Sequence, residues 1–568
     1  MKNLMIRKHA SLLAAAGLLI LLSGCSPSET EQYDLIISNG NIYDGNGGEP
    51  YLADIAIKGD RIVAIGELDA QATEILDASG LAVAPGFINM LSWATESLVI
   101  DGKSQSDIRQ GVTLEVFGEG GSGGPLNEVM RAEIESGGGY GGVEIEWTSL
   151  AEYLDYLVDK GISPNVASFV GATTVRIHEL GYADRAPNED ELLRMQQLVR
   201  DAMEDGALGL GSSLIYAPAF YAATEELVAL AKIVGEYNGM YISHLRSEGN
   251  RLLEAVDELI HIAREGNVAG EIYHLKMGGQ DNWGKFDDLV AKVEAAQAEG
   301  LAITADIYTY PAGSTGLDAA MPPWVQEGGY QSWAERLQNP AIRERVLAEM
   351  VVPTNDWENL GRQAGAEGTL LVGFQNPQLR RYTGMTLAEV AAERETSPAE
   401  TAIDLVVEDG SRVQVVYFLM SEENVAKGVA LPWVSFASDA GSMAPEGSFL
   451  ERSTHPRAYG NFARVLGKYV RVEQVITLPD AIRKLTKLPA TNLKIRDRGE
   501  LKENYFADIV IFDPSEIQDH ATFEDPHQYS TGMRHVLVNG EIVLREGEHT
   551  GALPGQVVHG PGWRGWTN

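Results

Sequence analysis

The chain has 568 residues, 44% of them hydrophobic, with 61 Gly and a single Cys. That length exceeds one minimal domain and is enough for a (β/α)8 barrel of roughly 250 residues with an accessory domain. With 44 basic against 81 acidic residues the net charge is −37, which argues against nucleic acid as a partner.

Taken in chain order, the first segment is a targeting signal. Lys2, Arg7 and Lys8 precede an apolar stretch over 10–22, too short to span a bilayer comfortably, which ends at Leu22-Ser23-Gly24-Cys25. This resembles a bacterial lipoprotein signal over 1–24, with Cys25 lipidated as the mature N-terminus and 25–32 as a tether. Ser26 after the cysteine resembles outer-membrane sorting, so the expectation is a lipid-anchored protein of a bacterial cell envelope, in the outer membrane and facing the periplasm. Because Cys25 is the only cysteine, the remaining chain can form no disulfide and offers no thiolate. Any metal must be held by nitrogen and oxygen ligands.

Residues 33–82 read as short strands and tight turns, with Asn39-Gly40 and Asn46-Gly47-Gly48 between apolar runs. The C-terminal part, 489–568, has the same style, including a hairpin at Asn539-Gly540. Between them, 83–488 alternates strands and helices. Strands are expected at 81–88, 112–117, 165–170, 207–210, 240–244, 270–274, 302–308 and 434–439, the number that closes a parallel barrel. An insertion over about 318–373 stands ready to cover one end. The predicted architecture is α/β: a TIM-like (β/α)8 barrel with a small β-sandwich built from both terminal segments.

Two histidines carry the chemistry. Met240-Tyr241-Ile242-Ser243-His244 and Gly270-Glu271-Ile272-Tyr273-His274 each end an apolar run, with a helical stretch between them. Strand, helix, strand puts both imidazoles at one edge of a parallel sheet. The run 433–438 delivers Asp439 to the same edge. Two imidazoles and a carboxylate there suit a divalent metal with a general base beside it.

The finer motifs resemble the N-acyl-D-amino-acid deacylases (D-aminoacylases) of the amidohydrolase superfamily. They include Val83-Ala84-Pro85-Gly86-Phe87-Ile88, Ser243-His244-Leu245-Arg246, His274-Leu275-Lys276, Tyr308-Thr309-Tyr310-Pro311, Ser438-Asp439, His455-Pro456-Arg457 and Arg496-Asp497-Arg498-Gly499. The likeness runs from about Tyr33 to Gly560. It implies a metal-dependent hydrolase of linear amide bonds, with Asp439 as the catalytic base and Lys276, Tyr308, Ser314 and Arg457 binding a small N-acyl amino acid. Two departures bear on the metal. Members carry His-x-His after the first barrel strand, where this chain has Leu91 and Trp93. A cysteine ligand after strand two is replaced by Gly120, with Glu119 beside it. The expectation is therefore one Zn²⁺ held by His244, His274 and Glu119, with Leu91 and Trp93 as apolar wall. A solvent-facing loop is the other reading of Glu119. The alternative functions are a cyclic-amide or dipeptide hydrolase of the same superfamily and an inactive ligand-binding lipoprotein.

Overall fold

A computed structural model describes residues 32–136 and 142–566. The expected signal and Cys25 lie outside the described residues, and Gln32 already begins the first strand.

Strands β1 (Gln32–Ile42), β2 (Tyr51–Lys58), β3 (Arg61–Gly66), β4 (Gln71–Asp77) and β5 (Ala82–Pro85) form the N-terminal half of one sheet system. The first half of β1 pairs with β4 and its last two residues with β5, so the long strand joins two layers. The segment expected as a single strand over 81–88 is divided at Gly86. Ala82–Pro85 belongs to this sheet, and β6 (Phe87–Asn89) opens the barrel. A Cβ at position 86 would meet Thr113 Oγ1 at 2.0 Å, so only glycine lets the chain step from one sheet to the other there.

The barrel continues through β7 (Val112–Phe117), β8 (Asn165–Ser168) with its short continuation β9 (Val170–Gly171), and β10 (Gly209–Ser213). It is completed by β11 (Met240–His244), β12 (Ala269–Ile272), β13 (Ile303–Ile307) and, after an insertion, β17 (Val434–Phe436). Neighbouring strands are parallel throughout. The ring closes where Met90 N donates to Phe436 O and Ser92 bridges Ala440. The fourth strand lies slightly later than expected: Ala207 and Leu208 lead into it, and Gly209 begins the ladder.

Helices α1 (Thr224–Glu236), α2 (Leu252–Gly266) and α3 (Phe286–Ala298) follow β10, β11 and β12. α2 buries Leu252, Val256, Leu259, Ile260 and Ile262, the 3.6-residue stripe that fixes its inner face. The insertion builds a separate antiparallel sheet from β14 (Gly313–Gly316), β15 (Thr369–Gly373) and β16 (Gln414–Tyr417). It therefore runs past 373 to Tyr417 before α4 (Glu422–Ala430) returns the chain to the barrel.

At the C-terminus, β18 (Ile509–Phe512), β19 (Met533–Val538) and β20 (Glu541–Arg545) complete the first sheet system. Ile509 to Phe512 lies antiparallel against Pro85 to Ala82. Leu35, Ile37, Ile57, Val83, Ile509 and Leu537 share one apolar cluster, so both chain ends depend on the same core. Arg498 pairs with Asp508 and donates to Asn539 Oδ1, while Asp508 takes Asn539 N at 2.8 Å. The Arg496-Asp497-Arg498-Gly499 motif thus locks the terminal strands together.

Candidate active site

The C-terminal ends of the barrel strands open into a cavity of about 490 Å³ lined by Trp93, Glu119, His244, Glu248, His274, Lys276, Tyr308, Ser314, Arg412, Asp439 and Arg457, among others. Every internal residue singled out as a site candidate lines it.

Glu119 arrives from the loop after β7. Gly118 (φ 111°) and Gly120 (φ 71°) flank it in the left-handed region, and Gly121 N turns back onto Glu119 O at 2.8 Å. A Cβ at Gly120 would press on Ser213 Cβ at 2.7 Å. A side chain at position 120 is therefore excluded, and Glu119 projects inward with 6% exposure. The solvent-facing reading of Glu119 does not hold.

His244 is the last residue of β11. His274 stands just beyond β12, where its N–H donates to Asp306 Oδ1 at 2.8 Å. Glu119 Oε1 lies 3.1 Å from His244 Nδ1 and 2.8 Å from His274 Nε2, and those two ring nitrogens are 3.0 Å apart. Three lone-pair atoms therefore converge on one point, the only such group of His, Cys, Asp and Glu found among the described residues. Tetrahedral ligands about 2.0–2.1 Å from zinc are about 3.3–3.4 Å apart, so a small outward shift brings this donor set to zinc-ligand spacing. Its chemistry, imidazole and carboxylate without thiolate, fits a hydrolytic divalent metal.

Charge balance pairs a carboxylate anion with an imidazolium here, and a metal that binds displaces the His274 proton to take its lone pair. Burial opposes ionisation of Glu119, yet His274 and His244 outweigh it and hold the carboxyl far below the usual range. Burial and Lys276 act against the His274 imidazolium, but Glu248 and Glu119 lift its pKa to about 10. His274 (φ 36°) and Asp439 (φ 48°) both adopt the left-handed backbone that side chains avoid, a strain that concentrates at functional positions.

Asp439 N is held by Leu91 O at 2.9 Å. Its Oδ2 pairs with Arg457 Nη1 at 2.8 Å, and its Oδ1 lies 3.1 Å from the Trp93 indole nitrogen. Burial raises the Asp439 carboxyl, with Arg457 pulling the other way. Trp93 also donates to Glu119 Oε2 at 3.1 Å. Trp93 is therefore a polar bridge between the two carboxylates. The apolar wall expected at both positions is not formed: Leu91 does not line the cavity and is fully buried in a core cluster with Ile88, Met90 and Leu114.

Arg457 opens α5 (Arg457–Arg464), is 2% exposed, and leaves its buried Nε without a hydrogen-bond partner. His455 accepts Arg457 N at Nδ1 and donates from Nε2 to Ala312 O, a backbone role away from the metal. Tyr308 is buried, with Arg457 4.4 Å over its ring and its hydroxyl 3.5 Å from Met420 Sδ. The Ser314 hydroxyl donates to Val415 O across β14 and β16, which leaves its oxygen to accept. Lys276 donates to Glu248 Oε1 at 2.7 Å and lies 2.6 Å from His274 Nδ1.

Sequence reasoning missed Glu248. It sits in the loop after β11, where strand and helix periodicities are both silent. The available signal was its place four residues after His244. Arg246, part of the quoted motif, grips Glu258 at 2.8 Å and the carbonyls of Phe220 and Ala222, fixing the same loop from outside.

The chain is similar to several known proteins. An amidohydrolase family model matches residues 435–544. The D-aminoacylase of Alcaligenes xylosoxydans xylosoxydans is 32% identical over 539 residues, covering 94% of this chain and 99% of the relative. The crystal structure of the N-acyl-D-glutamate deacylase from Bordetella bronchiseptica, complexed with zinc and a phosphonate mimic of the tetrahedral intermediate, has a TM-score of 0.77 at 29% identity. That match covers 93% of this chain and all of that one. A D-aminoacylase whose binuclear metal centre shows one-metal activation and second-metal attenuation has a TM-score of 0.74 at 30% identity, with the same coverage of both chains. The chain belongs to the D-aminoacylase family of amidohydrolases.

Proposed function

We propose that this protein removes the acyl group from N-acyl-D-amino acids, using one metal ion, zinc by its donor set, held by Glu119, His244 and His274. The observation that carries the reading is the convergence of those three donor atoms beside Asp439. Support for a single ion comes from Leu91 and Trp93, neither of which offers a metal ligand. The Trp93 indole N–H meanwhile occupies the ground between Glu119 and Asp439.

When bound there, the metal supplies Lewis acidity to the amide carbonyl and acidifies a water molecule. Asp439 accepts a proton as the water oxygen bonds to the carbonyl carbon, then gives it to the departing nitrogen as the C–N bond breaks. A carboxylic acid and a free amino acid result. Arg457 and Trp93 orient the Asp439 carboxylate for both transfers. The unpartnered Arg457 Nε offers part of a guanidinium fork to the substrate's carboxylate, which favours a free N-acyl amino acid over a cyclic amide. The Tyr308 phenol, which burial keeps protonated, donates to the polarised carbonyl or the carboxylate. Ser314 and Lys276 complete the polar wall. The test is metal analysis of the purified protein alongside a panel of N-acyl-D- and N-acyl-L-amino acids. Metal near one equivalent with D-selective hydrolysis supports the reading, and a metal-free protein without hydrolysis supports the ligand-binding alternative.

The same proposal extends to location. The 1–25 sequence supports a lipid anchor at Cys25 in the bacterial outer membrane, and among the described residues no helix is long and apolar enough to cross a membrane. Fatty-acid labelling that disappears in Cys25→Ser, with the protein leaving the membrane fraction, is the expected outcome.

A further inference from the structure

A metal-ligating imidazole must be neutral, with one nitrogen giving its lone pair and the other carrying the proton. The group that meets that outer N–H fixes the tautomer and the ring's orientation. In most sites each ring has its own outer partner. Here one carboxylate lies within ion-pair distance of both outer nitrogens, and Lys276 also approaches that of His274.

His244 turns Nδ1 toward Glu119 and His274, leaving Nε2 outward; His274 turns Nε2 inward, leaving Nδ1 outward. Glu248 lies between the two outer atoms. Its Oε2 is 3.4 Å from His244 Nε2 and its Oε1 is 3.1 Å from His274 Nδ1. His244 Nε2 is buried and has no hydrogen-bond partner, so the Glu248 carboxylate at ion-pair distance is the acceptor placed to take its N–H. The two rings meet nearly edge-on, 4.6 Å apart at 80°, so a single carboxylate plane spans both outer edges.

The loop around Glu248 is built to hold it. Gly278 N donates to Glu248 O at 2.7 Å, tying the loop after β11 to the loop after β12. Ser247 Oγ accepts from Gly249 N and Arg251 N and donates to the buried Glu358 at 2.6 Å. Glu248 is 3% exposed, and Lys276 compensates its charge at 2.7 Å.

The geometry points to Glu248 as a positioning residue that sets opposite tautomers on the two ligating histidines, Nε2–H on His244 and Nδ1–H on His274. The inference rests on the reading of Glu119, His244 and His274 as the metal ligands. It makes metal affinity, and not only turnover, depend on a residue that touches neither metal nor substrate. Lys276 shares the same oxygen and lies 2.6 Å from His274 Nδ1, so the rival account is that Lys276 donates to that nitrogen and Glu248 merely holds Lys276.

The experiment measures the Zn²⁺ dissociation constant by chelator competition, and the visible spectrum of the Co²⁺-loaded protein, for wild type, Glu248→Gln, Glu248→Asp and Lys276→Met. Glu248→Gln is isosteric but presents an amide N–H₂ to one of the two outer nitrogens. It should weaken Zn²⁺ binding about 10- to 100-fold and perturb the Co²⁺ bands, the usual range for losing such a partner. Glu248→Asp should recover part of the affinity. Lys276→Met should raise KM while leaving the Zn²⁺ constant within about threefold of wild type. Wild-type affinity in Glu248→Gln overturns the inference, and so does a loss in Lys276→Met equal to that in Glu248→Gln. A wild-type protein that binds no Zn²⁺ or Co²⁺ overturns instead the assignment of the ligands.

Discussion

The barrel carries two layers of buried carboxylates that behave in opposite ways. At the mouth, Glu119 and Glu248 are 6% and 3% exposed, and neighbouring cations hold both well below the usual carboxylate range despite their burial. Deeper in the barrel, Glu271 and Asp306 are fully buried and shifted upward by desolvation, Asp306 also by the Glu271 charge, with Glu271 reaching about 7. Asp107 and Glu115 beside the first two strands are raised in the same way. Burial is common to both layers, so burial does not decide ionisation here. The decisive difference is the counter-charge: His244, His274 and Lys276 converge on the mouth, while hydroxyls and amides serve the interior. The mouth keeps anions ready for a metal, and the interior keeps near-neutral acids as hydrogen-bonding structure. Asp439 stands at the border, raised by burial and restrained by Arg457, as a base that must both take and return a proton requires.

The comparison breaks most visibly if the mouth loses a cation-side group. His244→Ala removes one donor atom and one of Glu119's partners. Metal and activity should vanish together, with kcat/KM falling about 10³-fold or more as Lewis-acid assistance is lost. Atomic absorption and steady-state kinetics check both. Asp439→Asn should retain its metal and lower kcat about 10²- to 10⁴-fold, the scale of general acid–base assistance. Equal metal loss in the two variants would make Asp439 a ligand and erase its border position.

Arg457→Lys sharpens the same boundary. The ammonium preserves the charge beside Asp439 but not two parallel N–H bonds to a carboxylate, so KM for N-acyl amino acids should rise about tenfold. Substrates with an amidated carboxylate should bind the variant and the wild type alike. A wild-type preference for the amidated forms would move the assignment to another amide class.

The strand-end positions of His244, His274 and Asp439 were legible because a parallel barrel delivers strand C-termini to one face, and period and apolar runs mark those termini. Glu119 was legible only as a neighbour of a missing cysteine. Its inward aim depends on left-handed Gly118 and Gly120, which a sequence records as glycines without saying which way they turn. Trp93 was misread because an indole at an apolar-looking position has one polar atom, and its partners, Glu119 and Asp439, are 26 and 346 residues away. Glu248 was missed because loop residues carry no periodicity. The insertion was underestimated because β16 returns to pair with β14 after a long excursion, and antiparallel partners so far apart leave no local signature.

The smallest expected effect tests the interior layer alone. Glu271 Oε2 accepts from Thr304 Oγ1 at 2.6 Å and from Asn492 Nδ2 at 3.3 Å, while Oε1 is buried with no partner. Its folded pKa of about 7 lies above the ordinary carboxylate value of 4.5. The folded state therefore holds this proton more tightly than the unfolded chain does. Its contribution is favourable at acid pH and is lost as pH rises from about 4.5 to about 7, then stays constant. That difference corresponds to about 3–4 kcal/mol at most, at about 1.4 kcal/mol per unit. Glu271→Gln cannot ionise and keeps a carbonyl oxygen for Thr304 and Asn492. It should be more stable than wild type above pH 7, converge with it near pH 4.5, and leave KM and metal content unchanged. Denaturant unfolding at both pH values measures this directly. A variant whose stability tracks wild type across that window would show that Glu271 is ionised in the folded barrel, and the contrast between mouth and interior would then need another cause than counter-charge.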